Sequence, residues 1–255
     1  MAVQVVLVPL TAAAVGHVLD LASGVALGLV LMAAMPGGTM SNLFVLLGRG
    51  NVPLAITLTA LATAACIVTT PIVLRLLALQ HLPPGFEMPA GEIVFEIAFV
   101  LLLPLALGMA VGHALPAWRD VFSRWCIRGS ILMIVLIAIC AGGSGRIDPA
   151  AHGWAAPWAI ALFVTAIQLG AVVSSRLAGL PMRDVFAIFI EVTIRNTNLG
   201  LLVKASLFPA VAGVVDPLAD AVLYVVLIYG GVAALWALPL LVWHRRTAAP
   251  AITSA

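Results

Sequence analysis

Residues 36–42 read Pro-Gly-Gly-Thr-Met-Ser-Asn and interrupt an otherwise apolar stretch, residues 21–47. Residues 191–198 read Glu-Val-Thr-Ile-Arg-Asn-Thr-Asn and interrupt a second stretch, residues 183–209, in the same way. If both stretches are helices that cross a bilayer, a rise of about 1.5 Å per residue puts both clusters near its centre. Polar groups and irregular backbone persist at that depth only inside protein or along a cavity. A matched pair of interrupted helices therefore points to a transporter's binding site.

The composition indicates a chain whose solvent is lipid. Of its 255 residues, 64% are hydrophobic and 9% are charged, with a mean hydropathy of +1.20, whereas soluble domains carry about 25% charged residues. The formal net charge is only +2, and no RNA-binding motif is present, so we predict no nucleic-acid partner. The three cysteines lie in apolar runs at spacings that fit no zinc or redox motif, and we interpret them as packing residues.

Eight apolar stretches are long enough to cross a bilayer, which takes roughly 17 residues. No alternating strand pattern competes with them, so the predicted fold is an all-α membrane protein, a polytopic helical bundle that forms a single transmembrane domain over residues 1–255. The predicted spans cover residues 2–18, 21–47, 53–79, 92–115, 126–143, 155–175, 184–208 and 217–243.

The arginines predict the orientation of the chain. Those in the loops after spans two, four and six and in the tail are Arg49, Arg119, Arg124, Arg128, Arg176, Arg183, Arg245 and Arg246, whereas the opposite loops hold only Arg75 and Arg146. The positive-inside rule then predicts a cytoplasmic C-terminus. Eight spans put the N-terminus there as well, in a protein of the cell (inner) membrane.

The order of the broken spans predicts internal symmetry. They are the second and the seventh, and this odd offset reverses the direction through the membrane, so spans one to three would mirror spans six to eight as an inverted repeat. A full plan of two five-helix repeats needs ten spans, two more than the chain provides. The spacing Gly24-x-x-x-Gly28, like Gly108-x-x-x-Gly112, also fits close helix packing.

The first polar cluster combines a helix break with neutral oxygens. Pro36 removes a backbone donor, and the two following glycines allow backbone shapes that other residues resist. Neutral oxygens suit a hard monovalent cation such as Na⁺. The side chains that carry them are Thr39, Ser41 and Asn42. The alternative is a Pro-Gly kink whose hydroxyls bond back to their own helix.

The second cluster holds a carboxylate deep in the apolar slab. A charge there costs roughly 2.5–3.5 kcal/mol on insertion scales, so Glu191 needs a bound cation, a proton or the side chain of Arg195, four residues further on. Two interpretations remain open, a cation site and a structural Glu191–Arg195 pair. Residues 196–198, Asn-Thr-Asn, are poor helix formers, and we expect a local break there.

Three motifs resemble one family. Residues 36–42, followed by 49–52 (Arg-Gly-Asn-Val), closely resemble the fourth-helix signature of the bile acid:sodium symporter family. Residues 191–196 resemble its ninth-helix crossover, usually Glu-x-Gly-x-Gln-Asn, and residues 4–9 resemble its third-helix Gln-Phe-x-x-x-Pro pattern. The order and spacing of the motifs agree, and the resemblance covers the chain as helices three to ten.

This resemblance implies a ten-helix fold of two inverted repeats. Six helices form a core in which the broken helices cross, and four form a panel that rocks against it. Residues 1–79 and 155–243 would be core-like, and residues 92–143 part of a panel. The two absent helices imply a start codon placed too late, a shortened chain or a degenerate gene.

The resemblance also implies two sodium sites at the crossover. The first takes oxygens from Ser41, Asn42, Thr59 and Glu191, and from a serine position that is Ala55 here. The second takes oxygens from Gln4, Glu191, the carbonyls of Val192 and Ile194, and a family glutamine that is Arg195 here. A guanidinium is always charged, so our hypothesis is that Arg195 replaces the second cation and that one sodium ion, or none, binds per cycle.

The expected substrate is a small organic anion. Crossing half-helices point their positive N-terminal ends at mid-membrane, which favours an anion, and the family resemblance points to bile acids and small carboxylates. The candidate contacts are Thr39, Asn196, Asn198 and Arg195.

The sequence therefore predicts a secondary active transporter that couples an organic anion to sodium by alternating access. The alternatives are a sodium-independent or proton-coupled transporter in which Arg195 replaces the ion, and a truncated remnant that does not transport. An intramembrane enzyme would need a Ser/His, Asp/Asp or His-Glu-x-x-His set at depth, and the sequence provides none. The lipid bilayer is the one other partner predicted, and the oligomeric state is left open.

Overall fold

The computed structural model describes residues 1–143, 154–209 and 215–247. Within these ranges all the secondary-structure elements longer than an isolated bridge are helices. The long helices are α1 (Val3–Val18), α2 (Ser23–Ala34), α3 (Thr39–Leu47), α4 (Val52–His81), α5 (90–114), α6 (Arg119–Gly143), α7 (Ala155–Leu177), α8 (Met182–Thr193), α9 (Thr197–Leu207) and α10 (Pro217–Thr247). The first turn of α1 and parts of α4 and α5 are π-helical.

Both predicted breaks are present. Helix α2 ends at Ala34, and Met35 is extended with φ −74° and ψ 148°, since a residue that precedes a proline is disfavoured in the helical region. Helix α8 ends at Thr193, and Ile194 leaves the helical region with φ −91° and ψ 94°. The side chain of Asn196 then caps the next helix by accepting a hydrogen bond of 3.1 Å from the Leu199 amide.

The two breaks lie against each other and satisfy each other's backbone. Gly37 and Arg195 form an isolated antiparallel bridge. The Gly38 amide donates to the Ile194 carbonyl at 3.3 Å, and the Asn196 amide donates to the Pro36 carbonyl at 2.9 Å. Peptide groups freed by one break thus find partners in the other, which is how irregular backbone is tolerated in an apolar interior.

Helix α2 forms the centre of the bundle. All residues from Gly24 to Ala34 are buried, because α1 and α10 both pack along this helix. The predicted close packing at Gly24 and Gly28 is present: a Cβ on Gly28 would lie 2.6 Å from the Val225 Cβ, and one on Gly24 would meet Ala221. A Cβ on Gly108 would meet nothing within 4 Å among the described residues.

Among the described residues, three helices are long and apolar enough to cross a membrane: Val52–His81, Ala155–Leu177 and Pro217–Thr247. Two shorter apolar helices, Val3–Val18 and Ser23–Ala34, accompany them. Helices occupy all eight stretches predicted from the sequence. That each of these stretches crosses the membrane, and that the two halves form an inverted repeat, stay predictions.

Three segments meet at one end of the molecule, which we call the basic corner: residues 48–51, residues 183–184 and residues 244–246. Asn51 Nδ2 donates to Asp184 Oδ1 at 2.8 Å, and Arg183 Nε donates to the Arg49 carbonyl at 3.3 Å. The buried His244 ring lies 2.7 Å from the Gly48 carbonyl. The corner ties the end of α3 and the start of α8 to the end of α10.

Candidate functional site

Ser41 and Glu191 meet beside the paired breaks. Ser41 lies in the first turn of α3 and is fully buried, and its Oγ is 2.6 Å from Glu191 Oε2. The same hydroxyl lies 2.6 Å from the Gly38 carbonyl, which the break leaves at the start of the helix. The carboxylate of Glu191 projects from the last turn of α8 and is 1% exposed.

Helix α4 contributes the third oxygen of this cluster. Thr59 Oγ1 lies 3.0 Å from Glu191 Oε2, 3.4 Å from Asn42 Oδ1 and 3.0 Å from the Ala55 carbonyl. The structure therefore brings together all four side chains of the first predicted sodium site, Ser41, Asn42, Thr59 and Glu191. We call this set the oxygen cluster.

The oxygen cluster is short of positive charge. Glu191 Oε1 is buried and has no hydrogen-bond partner within the described ranges. In the described part of the chain, Glu191 Oε2 has only the neutral hydroxyl groups of Ser41 and Thr59 as hydrogen-bond donors. Each hydroxyl has a single proton, and other acceptors nearby compete for it. A buried carboxylate oxygen left in this state is costly, so the geometry calls for a proton or a small cation.

Gly37 leaves the space that the carboxylate occupies. A Cβ built on Gly37 would overlap the Glu191 carboxyl group, both at Oε1 and at Cδ. The neighbouring Gly38 is less constrained, because its Cβ would lie 3.4 Å from the Asn196 Cα, an ordinary van der Waals distance. The first glycine of the pair is therefore required by the packing of Glu191 against the opposite break.

The side chain of Arg195 is buried and bonds to backbone carbonyls. Its Nε donates to the Val192 carbonyl at 3.1 Å, and its Nη1 donates to the carbonyls of Ala33 and Met35. These carbonyls lie at the C-terminal ends of α8 and α2. The guanidinium thus supplies positive charge and donors where two helices end.

A structural Glu191–Arg195 pair was one of the two interpretations that the sequence left open. No hydrogen bond or ion pair joins the two side chains in the described part of the chain, and Arg195 Nη2 has no hydrogen-bond partner there either. That interpretation depended on a helix that continues through residue 195. Because α8 ends at Thr193, the spacing of four residues no longer puts both groups on one helix face.

Gln4 reaches the same region from α1. Its side chain is buried, and its Nε2 has no hydrogen-bond partner among the residues described. Together with Glu191 and Val192, Gln4 lines a cavity of about 230 Å³. Three members of the second predicted sodium set therefore border one space, although Arg195 already engages the Val192 carbonyl.

The predicted substrate contacts are less close together. Asn196 is half-buried, and its carboxamide oxygen caps α9. Asn198 is exposed. The side chain of Thr39 lies outside the described part of the structure.

Tyr229 also lies at this site, although it was not among the candidate residues predicted from the sequence. This buried residue of α10 donates from its hydroxyl to the Thr193 carbonyl at 2.9 Å, directly at the end of α8. Two features of the sequence could have indicated it. The chain holds only two tyrosines, and the hydroxyl of a tyrosine buried in an apolar helix needs a hydrogen-bond partner.

A bundle of apolar helices whose two broken members meet at a buried carboxylate has the architecture of a multi-pass membrane protein. The model of the Sodium Bile acid symporter family matches residues 1–146, more than half of the chain. The chain belongs to that family, as the motifs predicted, and the family is one of transporters rather than enzymes.

Relatives come from plants, bacteria and animals. The probable sodium/metabolite cotransporter BASS2 of the Oryza sativa (japonica) chloroplast is 29% identical over 66% of this chain and 39% of its own length. The sodium-dependent transporter YocS of Bacillus subtilis is 32% identical over 42% of this chain and 32% of its own. The ileal sodium/bile acid cotransporter of Mus musculus is 26% identical over 80% and 58%. The chain thus spans less than two thirds of each of these relatives.

Proposed function

We propose that the chain is a secondary active transporter in which sodium drives an organic anion through the membrane. The observation that carries this proposal is Glu191 Oε1, which is buried without a hydrogen-bond partner in the described ranges. A sodium ion bound by the oxygen cluster would give Glu191 Oε1 a positively charged partner, since a hard monovalent ion prefers carboxylate, hydroxyl and carbonyl oxygens.

The helix ends at the breaks support an anionic substrate. Helices α3 and α9 both begin at the crossover, so the positive ends of their helix dipoles lie in the middle of the bundle. We propose that Asn196 and Asn198 help to bind the substrate there, together with Thr39. The cell membrane with both termini in the cytoplasm remains our proposal for location, supported by the arginines of the basic corner.

A sodium-gradient experiment tests the function. The chain is reconstituted into vesicles, and uptake of radiolabelled pyruvate, succinate and cholate is followed with an inward gradient of sodium or of potassium. We expect sodium to accelerate uptake of at least one of the three anions. Uptake that is equally fast with potassium would instead favour the sodium-independent transporter, and no uptake under either gradient would favour the non-transporting remnant.

We further propose that Arg195 takes the place of a second sodium ion, so that a single ion is coupled. Its Nε donates a hydrogen bond to the Val192 carbonyl, which is one of the oxygens that the family resemblance assigns to the second site. Val192 itself borders the cavity that Gln4 and Glu191 also line. A tethered cation at this position would leave the oxygen cluster as the sole sodium site.

Replacement of Arg195 by glutamine tests whether the guanidinium takes the place of a second sodium ion. We expect the number of sodium ions bound per chain to rise from one to two, because the Val192 carbonyl is freed and a buried charge is lost. Equilibrium binding of radioactive sodium gives this number directly. Arg195→Lys keeps the charge and should keep a single ion.

Two results would contradict the proposal for Arg195. One is an unchanged stoichiometry in a folded Arg195→Gln protein. The other is two sodium ions bound by the unmodified chain, a measurement that needs no variant and so does not depend on whether the substitution is tolerated.

A further inference from the structure

A second, larger groove lies away from the oxygen cluster, between α7 and α10. Its volume is about 430 Å³. Helix α7 contributes Thr165, Gln168, Leu169 and Val172, helix α10 contributes Trp236, Pro239, Leu240 and Trp243, and Phe189 of α8 completes the lining. On both long helices the residues follow at intervals of three and four, so one face of each helix forms a wall.

This groove contains one unsatisfied donor. Gln168 is 9% exposed, and its Nε2 has no hydrogen-bond partner in the parts of the chain described. The other polar groups of the wall are satisfied, since Trp236 Nε1 donates to Thr165 Oγ1 at 3.0 Å and Thr165 Oγ1 donates to the Ala161 carbonyl at 2.8 Å. A buried donor of this kind needs an acceptor oxygen from a bound molecule.

The rim of the groove is apolar and exposed. Leu169 is 61% exposed, Trp243 49% and Trp236 40%. In a multi-pass membrane protein, such a surface on apolar helices faces lipid rather than water. The molecule that fills the groove therefore comes from the bilayer.

Positive charge gathers where the groove ends. Helix α10 continues from Trp243 into the exposed Arg245 and Arg246, and α7 continues from Val172 to the exposed Arg176. Arg49 and Arg183 lie in the adjoining basic corner, where Asp184 is the acid and already accepts from Asn51. The face is thus strongly basic, and such clusters attract anionic head groups.

We propose that this groove binds an anionic phospholipid. Its phosphate lies at the arginines that follow the two helices, one acyl chain lies between Trp236 and Trp243, and an ester carbonyl accepts from Gln168 Nε2. Gln168 precedes Arg176 by eight residues, about 12 Å along the helix. An arginine side chain together with the stretch from phosphate to ester bridges that distance.

The proposal is independent of sodium coupling, because it uses none of the residues of the oxygen cluster. The purified, delipidated chain is titrated with phosphatidylglycerol or with phosphatidylcholine, and the bound lipid is counted by native mass spectrometry. We expect phosphatidylglycerol to bind at least tenfold more tightly.

Variants separate the head group from the groove. The double change Arg245→Gln and Arg246→Gln should weaken phosphatidylglycerol binding by about 30-fold and remove the preference, since each arginine near an anionic lipid contributes a factor of about five. Gln168→Leu should weaken it by about fivefold, the effect of one hydrogen bond. Val172→Phe should weaken binding of both lipids by filling the groove.

The matched control is the double change Arg124→Gln and Arg128→Gln, which removes the same charge from the exposed face of α6. The preference for phosphatidylglycerol should survive it. An equal loss in the control would overturn the proposal, because net charge alone would explain binding. Competition by soluble glycerol phosphate at the same concentration as the lipid would overturn it too, because the groove would then contribute nothing.

Discussion

Exchange of Glu191 for glutamine is expected to abolish sodium binding. The variant keeps an oxygen that accepts from Ser41 and Thr59, so the hydrogen bonds at 2.6 Å and 3.0 Å can persist and the protein should fold. What it loses is the buried negative charge. Removing one partner of a buried charge pair costs about 3 kcal/mol or more, so sodium affinity should fall by at least about 100-fold.

Binding of radioactive sodium to the purified chain measures this loss. Glu92→Gln is the control, because Glu92 is an exposed carboxylate near the start of α5 and its removal changes net charge equally. The control should bind sodium as the unmodified chain does. Sodium binding by Glu191→Gln at full affinity would show that the ion binds elsewhere, and the oxygen cluster would lose its proposed role.

Replacement of Gly37 by alanine should have the second largest effect. The new methyl group would overlap the carboxyl of Glu191, so either that carboxylate or the bridge between Gly37 and Arg195 must shift. Overpacking of this kind costs typically 1–3 kcal/mol. We expect a lower melting temperature together with sodium affinity reduced by at least about tenfold.

The adjacent residue provides a matched control. Gly38→Ala adds the same methyl group one residue further on, where it meets the Asn196 Cα at an ordinary distance, and the backbone there is extended with φ −105°. Alanine at 38 should therefore leave stability and sodium binding nearly unchanged. Equal damage from both substitutions, seen in thermal unfolding and sodium titration, would mean that loss of glycine flexibility, rather than the position of Glu191, is responsible.

The breaks could be predicted from sequence because their causes are local. Pro36 disfavours helix at the residue before it, and residues 196–198 favour capping over helix interior. The partners across the breaks could not be predicted in this way. Whether the Pro36 carbonyl meets the Asn196 amide depends on how two distant segments pack, which no local preference encodes.

The candidate site shows the same limit. Ser41, Asn42, Thr59 and Glu191 could be grouped only through the family resemblance, since nothing in their spacing says that their helices face one another. The structural Glu191–Arg195 pair, one of two interpretations left open, rested on helix periodicity, whereas α8 ends at Thr193, two residues before Arg195. The groove between α7 and α10 could not be predicted either. Gln168 and Trp236 lie far apart in the sequence, and only the packing of the two helices brings them to one surface.

The bridge between the two breaks also bears on how the chain is made. The carbonyl of Pro36 and the amide of Gly38 find their partners in residues 194–196, which leave the ribosome long after the first broken helix. Until then, these peptide groups have no internal partner, and hydrocarbon offers them none. We therefore expect the first break to reach its final place in the apolar interior only after residues 194–196 have been made.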